Sequence, residues 1–107
     1  MTAERSTVEI LRAARERISD PEHWCTEVLA KSASGAAVAP FDSSACQWCA
    51  RGACEAGGED ARHLAVGLLY EAAGPGVSVT DLNDTEGHEA ALNLLDKAIS
   101  LAEEASC

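Results

Sequence analysis

Aromatic residues are scarce in this sequence, which has two tryptophans, one tyrosine and one phenylalanine among 107 residues. A chain of this length is expected to form one domain with a modest core. With so few aromatic side chains, that core must be filled mainly by Ala, Leu and Val. Residues 1–107 are therefore predicted to form a single domain.

Positive charge is also scarce, since eight Lys and Arg residues face eighteen Asp and Glu residues and leave a net charge of −10. Binding to nucleic-acid phosphates depends on Lys and Arg side chains that displace counterions. Anionic membrane surfaces likewise attract basic segments. The charge thus argues against nucleic acid and membrane as partners. It favours as partner an unidentified protein, in particular a basic one, or a small ligand. The chain is predicted to be a monomer or a small homo-oligomer.

Long hydrophobic runs are missing, because no apolar stretch approaches the roughly 20 residues that span a bilayer. The N-terminal residues lack the hydrophobic segment of a signal peptide. Five cysteines, an odd number, fit poorly with a closed disulfide framework. These features predict a cytoplasmic protein, in which thiols stay reduced.

Helix signals begin near the N-terminus. A capping-box pattern that starts at Ser6 opens a first helix running to about Ser19. A second helix is predicted to begin at Pro21, which suits a first helical turn, and to end near Lys31. Residues 31–43, rich in Ser, Ala and Gly, form a long loop that is either functional or loosely ordered.

The stretch from Ser44 to Glu55 holds three of the five cysteines and one of the two tryptophans. Ser44 and Gln47 have capping-box spacing, so residues 45–56 are predicted to form one unbroken helix. Small side chains share one face of that helix and are expected to pack against Gly67 of the next helix. They are Ala45, Cys49, Gly52, Ala53 and Ala56.

Two further helices complete the predicted fold. Asp60 is predicted to cap a helix that runs through Ala73 and is apolar nearly all round from Leu64 onward, which indicates a helix at the centre of the core. Residues 77–85 are interpreted as an extended connector and a turn, with Asp84 or Thr85 capping the last helix. Residues 103–107 are expected to fray, because acidic side chains there oppose the helix dipole. The predicted fold is all-α, a small bundle of about four main helices and one short helix.

The cysteines raise the possibility of a zinc site. Cys46, Cys49 and Cys54, together with a histidine such as His63 or His23, offer the sulfur and nitrogen ligands that zinc prefers. On one continuous helix, however, Cys49 and Cys54 point about 140° apart and cannot reach one ion. A zinc-stabilised structural module is therefore the alternative hypothesis, and no metal ligand is predicted.

A thiol-dependent hydrolase or transferase is the third hypothesis. Cys46 would lie in the first turn of the predicted helix, where the dipole lowers a thiol pKa. His23, His63 or His88 could act as its base. No spacing fixes a nucleophile, a base and an orienting group together, so the sequence disfavours an enzyme and predicts no catalytic residue or cofactor.

Several short motifs carry a family resemblance. In order, they are His23-Trp24, the loop around Gly35, residues 48–53, Asn83-Asp84 and the final Leu-Leu-x-x-Ala-Ile of residues 94–99. With this order of motifs the chain resembles DUF6197, a family of small actinobacterial and phage domains of unknown function. The resemblance spans nearly the whole chain, and it implies a fold but no established activity.

The resemblance also ranks the cysteines. In that family the residue matching Cys49 is the recurrent cysteine, the position of Cys54 is usually aliphatic, and Cys46 lies outside the pattern. This chain also has Leu82 where a tryptophan commonly precedes Asn-Asp. These departures count against a three-cysteine metal site and leave Cys49, Asn83 and Asp84 as the residues of interest.

The leading hypothesis is a non-enzymatic helical module that binds a protein or a small ligand. Exposed aromatic side chains beside a mobile loop commonly anchor a contact surface, which places it near the tryptophans, the long loop and the Asn-Asp turn. The candidate binding residues are Trp24, Trp48, Cys49, Arg51, Asn83 and Asp84.

Overall fold

Helices make up most of the structure, with a small sheet at one side. A computed structural model describes residues 7–56 and 59–106. The elements are α1 (Thr7–Arg17), a 3-10 turn (Pro21–His23), β1 (Ala30–Ser32), β2 (Ala45–Trp48), α2 (Ala50–Glu55), α3 (Glu59–Ala73), α4 (Val79–Glu86) and α5 (His88–Ser106). The prediction of a mostly helical fold with about four main helices and a short one is confirmed.

The core lies between α1, α3 and α5, since both α1 and α3 pack on α5. Each helix buries residues at helical spacing, such as Ile10, Leu11 and Ala14 on α1. Most of the remaining core side chains are alanine or leucine, which lets the helices approach closely. On α3 and α5 they are Ala65, Leu69, Ala72, Ala91, Leu94, Leu95, Ala98 and Ala102.

The prediction of one unbroken helix over residues 45–56 is wrong. Residues 45–48 form β2, and the helix begins only at Ala50. β2 pairs antiparallel with β1, so that Trp48 lies opposite Ala30. The expected capping box does not form, because Gln47 Nε2 donates to the carbonyl of Glu22 instead. Long-range backbone pairing thus overrides the local helix signal.

The second predicted helix, from Pro21 to Lys31, is also wrong. Asp20 caps only one 3-10 turn, its side chain accepting a hydrogen bond from the backbone N–H of Glu22. The chain then becomes extended, and the N–H of Cys25 donates to the carbonyl of Trp48. The segment 24–32 therefore lies along both edges of β2 rather than winding as a helix.

The predicted connector and turn over residues 77–85 are helical in the structure. Ser78 caps α4, since its hydroxyl accepts a hydrogen bond from the N–H of Asp81 at 3.3 Å. Asp84 and Thr85 are interior residues of α4 and do not cap the last helix. Gly87, with φ +98°, separates α4 from α5. α5 runs through Ser106. Cys107 lies outside the described residues, and the fraying of residues 103–107 stays a prediction.

The predicted and the observed packing differ at two glycines, Gly67 and Gly52. Gly67 was expected to face the small side of the central helix, but a Cβ there would meet nothing within 4 Å. The close approach occurs at Gly52, where a Cβ would lie 1.9 Å from the carbonyl oxygen of Leu29. α2 therefore packs against the extended segment before β1, and not through Gly67 of α3.

The surface of α1 shows what its arginines do. Arg12 pairs with Glu103 and Arg15 with Asp96, both on α5. Arg17 donates to the carbonyl of Ala53 at 2.7 Å.

None of the described helices is long and apolar enough to cross a bilayer.

Candidate functional site

Asn83, on α4, is fully buried and makes four hydrogen bonds. Its Oδ1 accepts from the indole Nε1 of Trp24 at 2.7 Å and from the backbone N of Ala50 at 3.0 Å. Its Nδ2 donates to the carbonyl of Cys25 and to Oδ1 of Asp84, each at 3.1 Å. These bonds use the full capacity of an amide side chain. One side chain thus joins the extended segment, the start of α2 and α4.

Cys49 stands where β2 ends and α2 begins. Its Sγ accepts a hydrogen bond from the backbone N of Gly52 at 3.3 Å and caps α2. Its own N–H donates to the carbonyl of Leu29 at 3.2 Å. With only 2% of its surface exposed, Cys49 serves as a buried cap.

Glu27 has an unusual backbone conformation. Its φ is +76°, the only positive φ at a non-glycine position in the described ranges. Such a conformation costs about 1–3 kcal/mol and persists only where surrounding contacts impose it. Here Asp84 Oδ1 accepts a hydrogen bond from the N–H of Glu27 at 3.0 Å. Asp84 therefore links this strained residue to Asn83.

Glu27, Cys49 and Asp84 line a cavity, which we call the cleft, with a volume of about 440 Å³. Its walls come from the extended segment, the first turn of α2 and the outer face of α4. The lining residues are Glu27, Val28, Leu29, Cys49, Arg51, Thr80, Asp81 and Asp84. Three of the candidate residues predicted from the sequence, Cys49, Arg51 and Asp84, therefore share one concave surface.

Arg51 brings a positive charge to the cleft, but a buried partner neutralises it. Its Nε donates to the carboxylate of Glu55 at 2.7 Å, and Glu55 is only 5% exposed. Its Nη1 donates to the hydroxyl of Tyr70 at 3.3 Å. The hydrogen bond to Glu55 raises the pKa of Arg51 above its usual value. Carboxylates from the extended segment and α4 thus leave the cleft with a net negative charge.

The tryptophans are half-buried and brace the site from outside the cleft. Trp48 donates its Nε1–H to the carbonyl of Pro40 at 2.9 Å, which fixes the long loop. The ring of Trp24 meets His88 edge to face, with centroids 5.4 Å apart. Both indole N–H groups have partners inside the protein, so the tryptophans position neighbouring segments.

The break between β2 and α2 removes the helical argument against a shared zinc ion, since Cys46 lies on the strand and Cys54 on the helix. The three thiols still do not form a site. In the part of the chain that the structure describes, no three His, Cys, Asp or Glu residues are grouped to hold a metal. Cys54 instead belongs to the hydrophobic core.

Burial sets the acidity of the thiols. Desolvation raises the pKa of Cys25 from its usual 9.0 to about 11 and that of Cys54 to about 12. It also raises the pKa of Cys49, partly offset by the N–H of Gly52. The expected first-turn position of Cys46 is wrong, because Cys46 lies in β2, half-buried beside a small surface cavity. Cys49 does lie at a helix N-terminus, but burial outweighs the hydrogen bond from Gly52 and raises its pKa, the opposite of the shift that the thiol-enzyme hypothesis requires.

Alkylation of the folded protein should separate these thiols. At pH 8 we expect iodoacetamide to label Cys46 well before Cys25, Cys49 and Cys54, because a buried thiol with a raised pKa forms almost no accessible thiolate. Peptide mass spectrometry at timed intervals measures the order, and denatured protein serves as the control in which all four label together. Rapid labelling of Cys49 in the folded protein would contradict this assignment.

Sequence reasoning missed Glu27, Thr80 and Asp81 as cleft residues. The spacing of Ser78 and Asp81 has the form of a helix start, Ser-x-x-Asp, and would have placed α4 and its outer face. No sequence signal points to Glu27, because a positive φ at glutamate follows only from its contact with Asp84.

Comparison with protein-family models confirms the family resemblance. No curated protein and no solved structure matches the chain. A model of a family of unknown function matches residues 2–101, which is nearly the whole sequence. The chain therefore belongs to this family, DUF6197.

Proposed function

We propose that the protein is a non-enzymatic binding module whose ligand site is the cleft. The observation that carries this proposal is the convergence of Cys49, Arg51 and Asp84 on one cavity of about 440 Å³. That volume falls within the range of about 300–1,000 Å³ that is usual for small-ligand sites. The proposed setting is the cytoplasm, as the sequence predicts.

The cleft has the rigidity that a binding site needs. Its α4 wall is tied to the extended segment by Asn83 and Asp84, and its α2 wall is capped by Cys49. A site that is ordered before the ligand arrives loses less conformational entropy on binding. The strained backbone of Glu27 agrees with this interpretation, since strain of this kind concentrates at ligand sites.

Binding fits the chemistry of the cleft better than catalysis does. The thiol on its wall, Cys49, is buried, acts as a helix cap and has a raised pKa. A catalytic thiol needs the opposite arrangement, with an accessible sulfur and a lowered pKa.

The charge of the cleft defines the class of ligand. Glu27, Asp81 and Asp84 line it, while the guanidinium of Arg51 is occupied by Glu55. A small ligand with an ammonium or guanidinium group would be attracted by these carboxylates. The hydroxyl of Thr80 and the apolar atoms of Val28 and Leu29 would contact the uncharged part of such a ligand.

A defined panel of small molecules tests this proposal. We expect at least one of arginine, agmatine, putrescine and spermidine to raise the melting temperature, whereas glutamate and succinate should not. Asp81→Asn and Asp84→Asn should each weaken binding about tenfold or more, because each removes one attractive charge while keeping the side-chain shape. Isothermal titration calorimetry of the best ligand measures the change.

Glu104→Gln provides the matched control, because it removes one carboxylate from the exposed end of α5 and leaves the cleft intact. Binding should be the same in this variant as in the native protein. The proposal is overturned if no cationic compound binds at millimolar concentration. It is equally overturned if Asp81→Asn and Asp84→Asn weaken binding no more than Glu104→Gln does.

A further inference from the structure

A second concave surface lies on the other side of α4, and we call it the groove. It has a volume of about 540 Å³ and runs between α4 and α5, with the end of α3 at its base. Asp81 lines both the groove and the cleft, so α4 separates the two. The groove is lined by Ala72, Ala73, Val77, Ser78, Asp81, Leu82, Thr85, Glu86, Ala90, Asn93, Leu94 and Lys97.

The floor of the groove is apolar and made of short side chains. Ala73 and Ala90 let another backbone approach closely, while half-buried Leu82 provides contact area above the buried Ala72 and Leu94. Val77 at its edge is 39% exposed, one of three large apolar side chains exposed in the described ranges. A groove with an apolar floor and polar edges is the kind of surface that an amphipathic helix binds.

The length of the groove matches a short helix. Its α5 wall extends from Ala90 to Lys97, which corresponds to about 10 Å at the helical rise of 1.5 Å per residue. About two turns of a partner helix would lie along it. An amphipathic helix of that length presents apolar side chains at positions i, i+3 or i+4, and i+7.

The charges around the groove select a basic partner. Asp81 and Glu86 of α4 line the groove with a single cation, Lys97 of α5, and α4 itself contains no Lys or Arg. Among the described cations, Arg12, Arg15 and Arg51 are engaged in ion pairs within the fold. A second copy of this chain is a poor occupant, because two molecules of charge −10 repel each other.

We propose that the groove docks a basic amphipathic helix of another protein. The apolar face of that helix would cover Leu82, Leu94 and Val77, and its Lys or Arg side chains would lie along Asp81 and Glu86 on α4. An acidic side chain on its opposite flank would meet Lys97, which fixes the orientation of the helix. The groove shares Asp81 with the cleft and no other lining residue.

Two matched synthetic peptides test the proposal. Each has about 16 residues with leucine at i, i+3, i+4 and i+7, and the remaining positions are lysine in one and glutamate in the other. By fluorescence anisotropy we expect the lysine peptide to bind the full-length protein with a micromolar Kd. The glutamate peptide should bind about tenfold or more weakly.

Three variants locate the binding. Ala90→Trp fills the groove and should weaken the lysine peptide about tenfold or more. Glu86→Lys reverses a charge on the rim of the groove and should weaken it by a similar factor, whereas Glu104→Lys makes the same change on α5 outside the groove and should have little effect. In the unmodified protein, amide chemical shifts should move in the residues that line the groove, which keeps the test decisive if Ala90→Trp does not fold.

Specific outcomes overturn the proposal. One is the absence of binding by the lysine peptide at millimolar concentration. Another is equal weakening by Glu86→Lys and Glu104→Lys, since that would indicate general electrostatic attraction to an acidic protein. Self-association that sedimentation detects and Ala90→Trp abolishes would identify a second copy of the chain as the occupant, contrary to the proposal.

Discussion

Gly52→Ala is expected to destabilise the protein by about 3 kcal/mol, at the upper end of what overpacking usually costs. The added methyl group would lie 1.9 Å from the carbonyl oxygen and 2.7 Å from the carbonyl carbon of Leu29. Both atoms belong to the backbone, so no side-chain rotation can relieve the contact. The segment before β1 would have to move away from α2 and lose the hydrogen bond between Leu29 and Cys49. Urea unfolding followed by circular dichroism measures the change.

Gly67→Ala provides the matched control, because it adds the same methyl group to a helix at a position where a Cβ meets nothing within 4 Å. Alanine is favoured over glycine in helix interiors by about 1 kcal/mol, so this variant should be more stable than the native protein. Similar free energies of unfolding for the two variants would contradict the close approach of α2 to Leu29.

Long, strongly patterned helices were predictable from the sequence. α3 ends at Ala73, as the following Gly-Pro-Gly predicts, and it buries Ala65, Leu69 and Ala72 in the core while Leu64 is exposed. The first helix forms as predicted from the described residue Thr7, and it buries Leu11 and Ala14, with Ile18 fully buried just beyond its last turn. These elements could be predicted because their periodicity and their stop signals are local properties of the chain.

The sheet could not be predicted in the same way. β1 and β2 have three and four residues, and each is held by contacts from a distant part of the chain. The pairing of Cys25 with Trp48 spans 23 positions of sequence, over which local periodicity carries no information. Ser44 and Gln47 supplied a helix-start pattern that this pairing overrides, since Gln47 bonds to Glu22 and Ser44 to Asp42.

The residues of the candidate site could be predicted from the sequence, but their arrangement around one cleft could not. Cys49 and Asp84 were singled out by the family resemblance, and Arg51 lies in one of the motifs that carry it, residues 48–53. That they line one cleft follows from the sheet and from α4, neither of which was predicted. The tryptophans were expected at a contact surface, yet each directs its indole N–H inward, to Asn83 or to Pro40. Which surface binds a partner stays a prediction.

Asn83→Ala is expected to destabilise the protein by about 3–5 kcal/mol, since each buried polar group left without a partner costs about 1–3 kcal/mol. The groups that lose their partner are the indole N–H of Trp24, the N–H of Ala50 and the carbonyl of Cys25. Domains are typically stable by only about 5–15 kcal/mol, so this loss would leave a marginal fold. Urea unfolding near pH 7 measures it.

Asn83→Asp separates the donor half of the side chain from the acceptor half. Aspartate keeps an acceptor for Trp24 and Ala50, but when ionised it cannot donate to Cys25 and it repels Asp84. Burial and the neighbouring carboxylate should raise its pKa in the folded state above the unfolded value of about 3.9. The stability deficit relative to the native protein should then shrink as the pH falls through that raised pKa, because the protonated acid can donate again. For Asn83→Ala the stability deficit should not change with pH. If both variants lose the same free energy of unfolding at every pH, the amide donor contributes nothing to the contact between α4 and the extended segment.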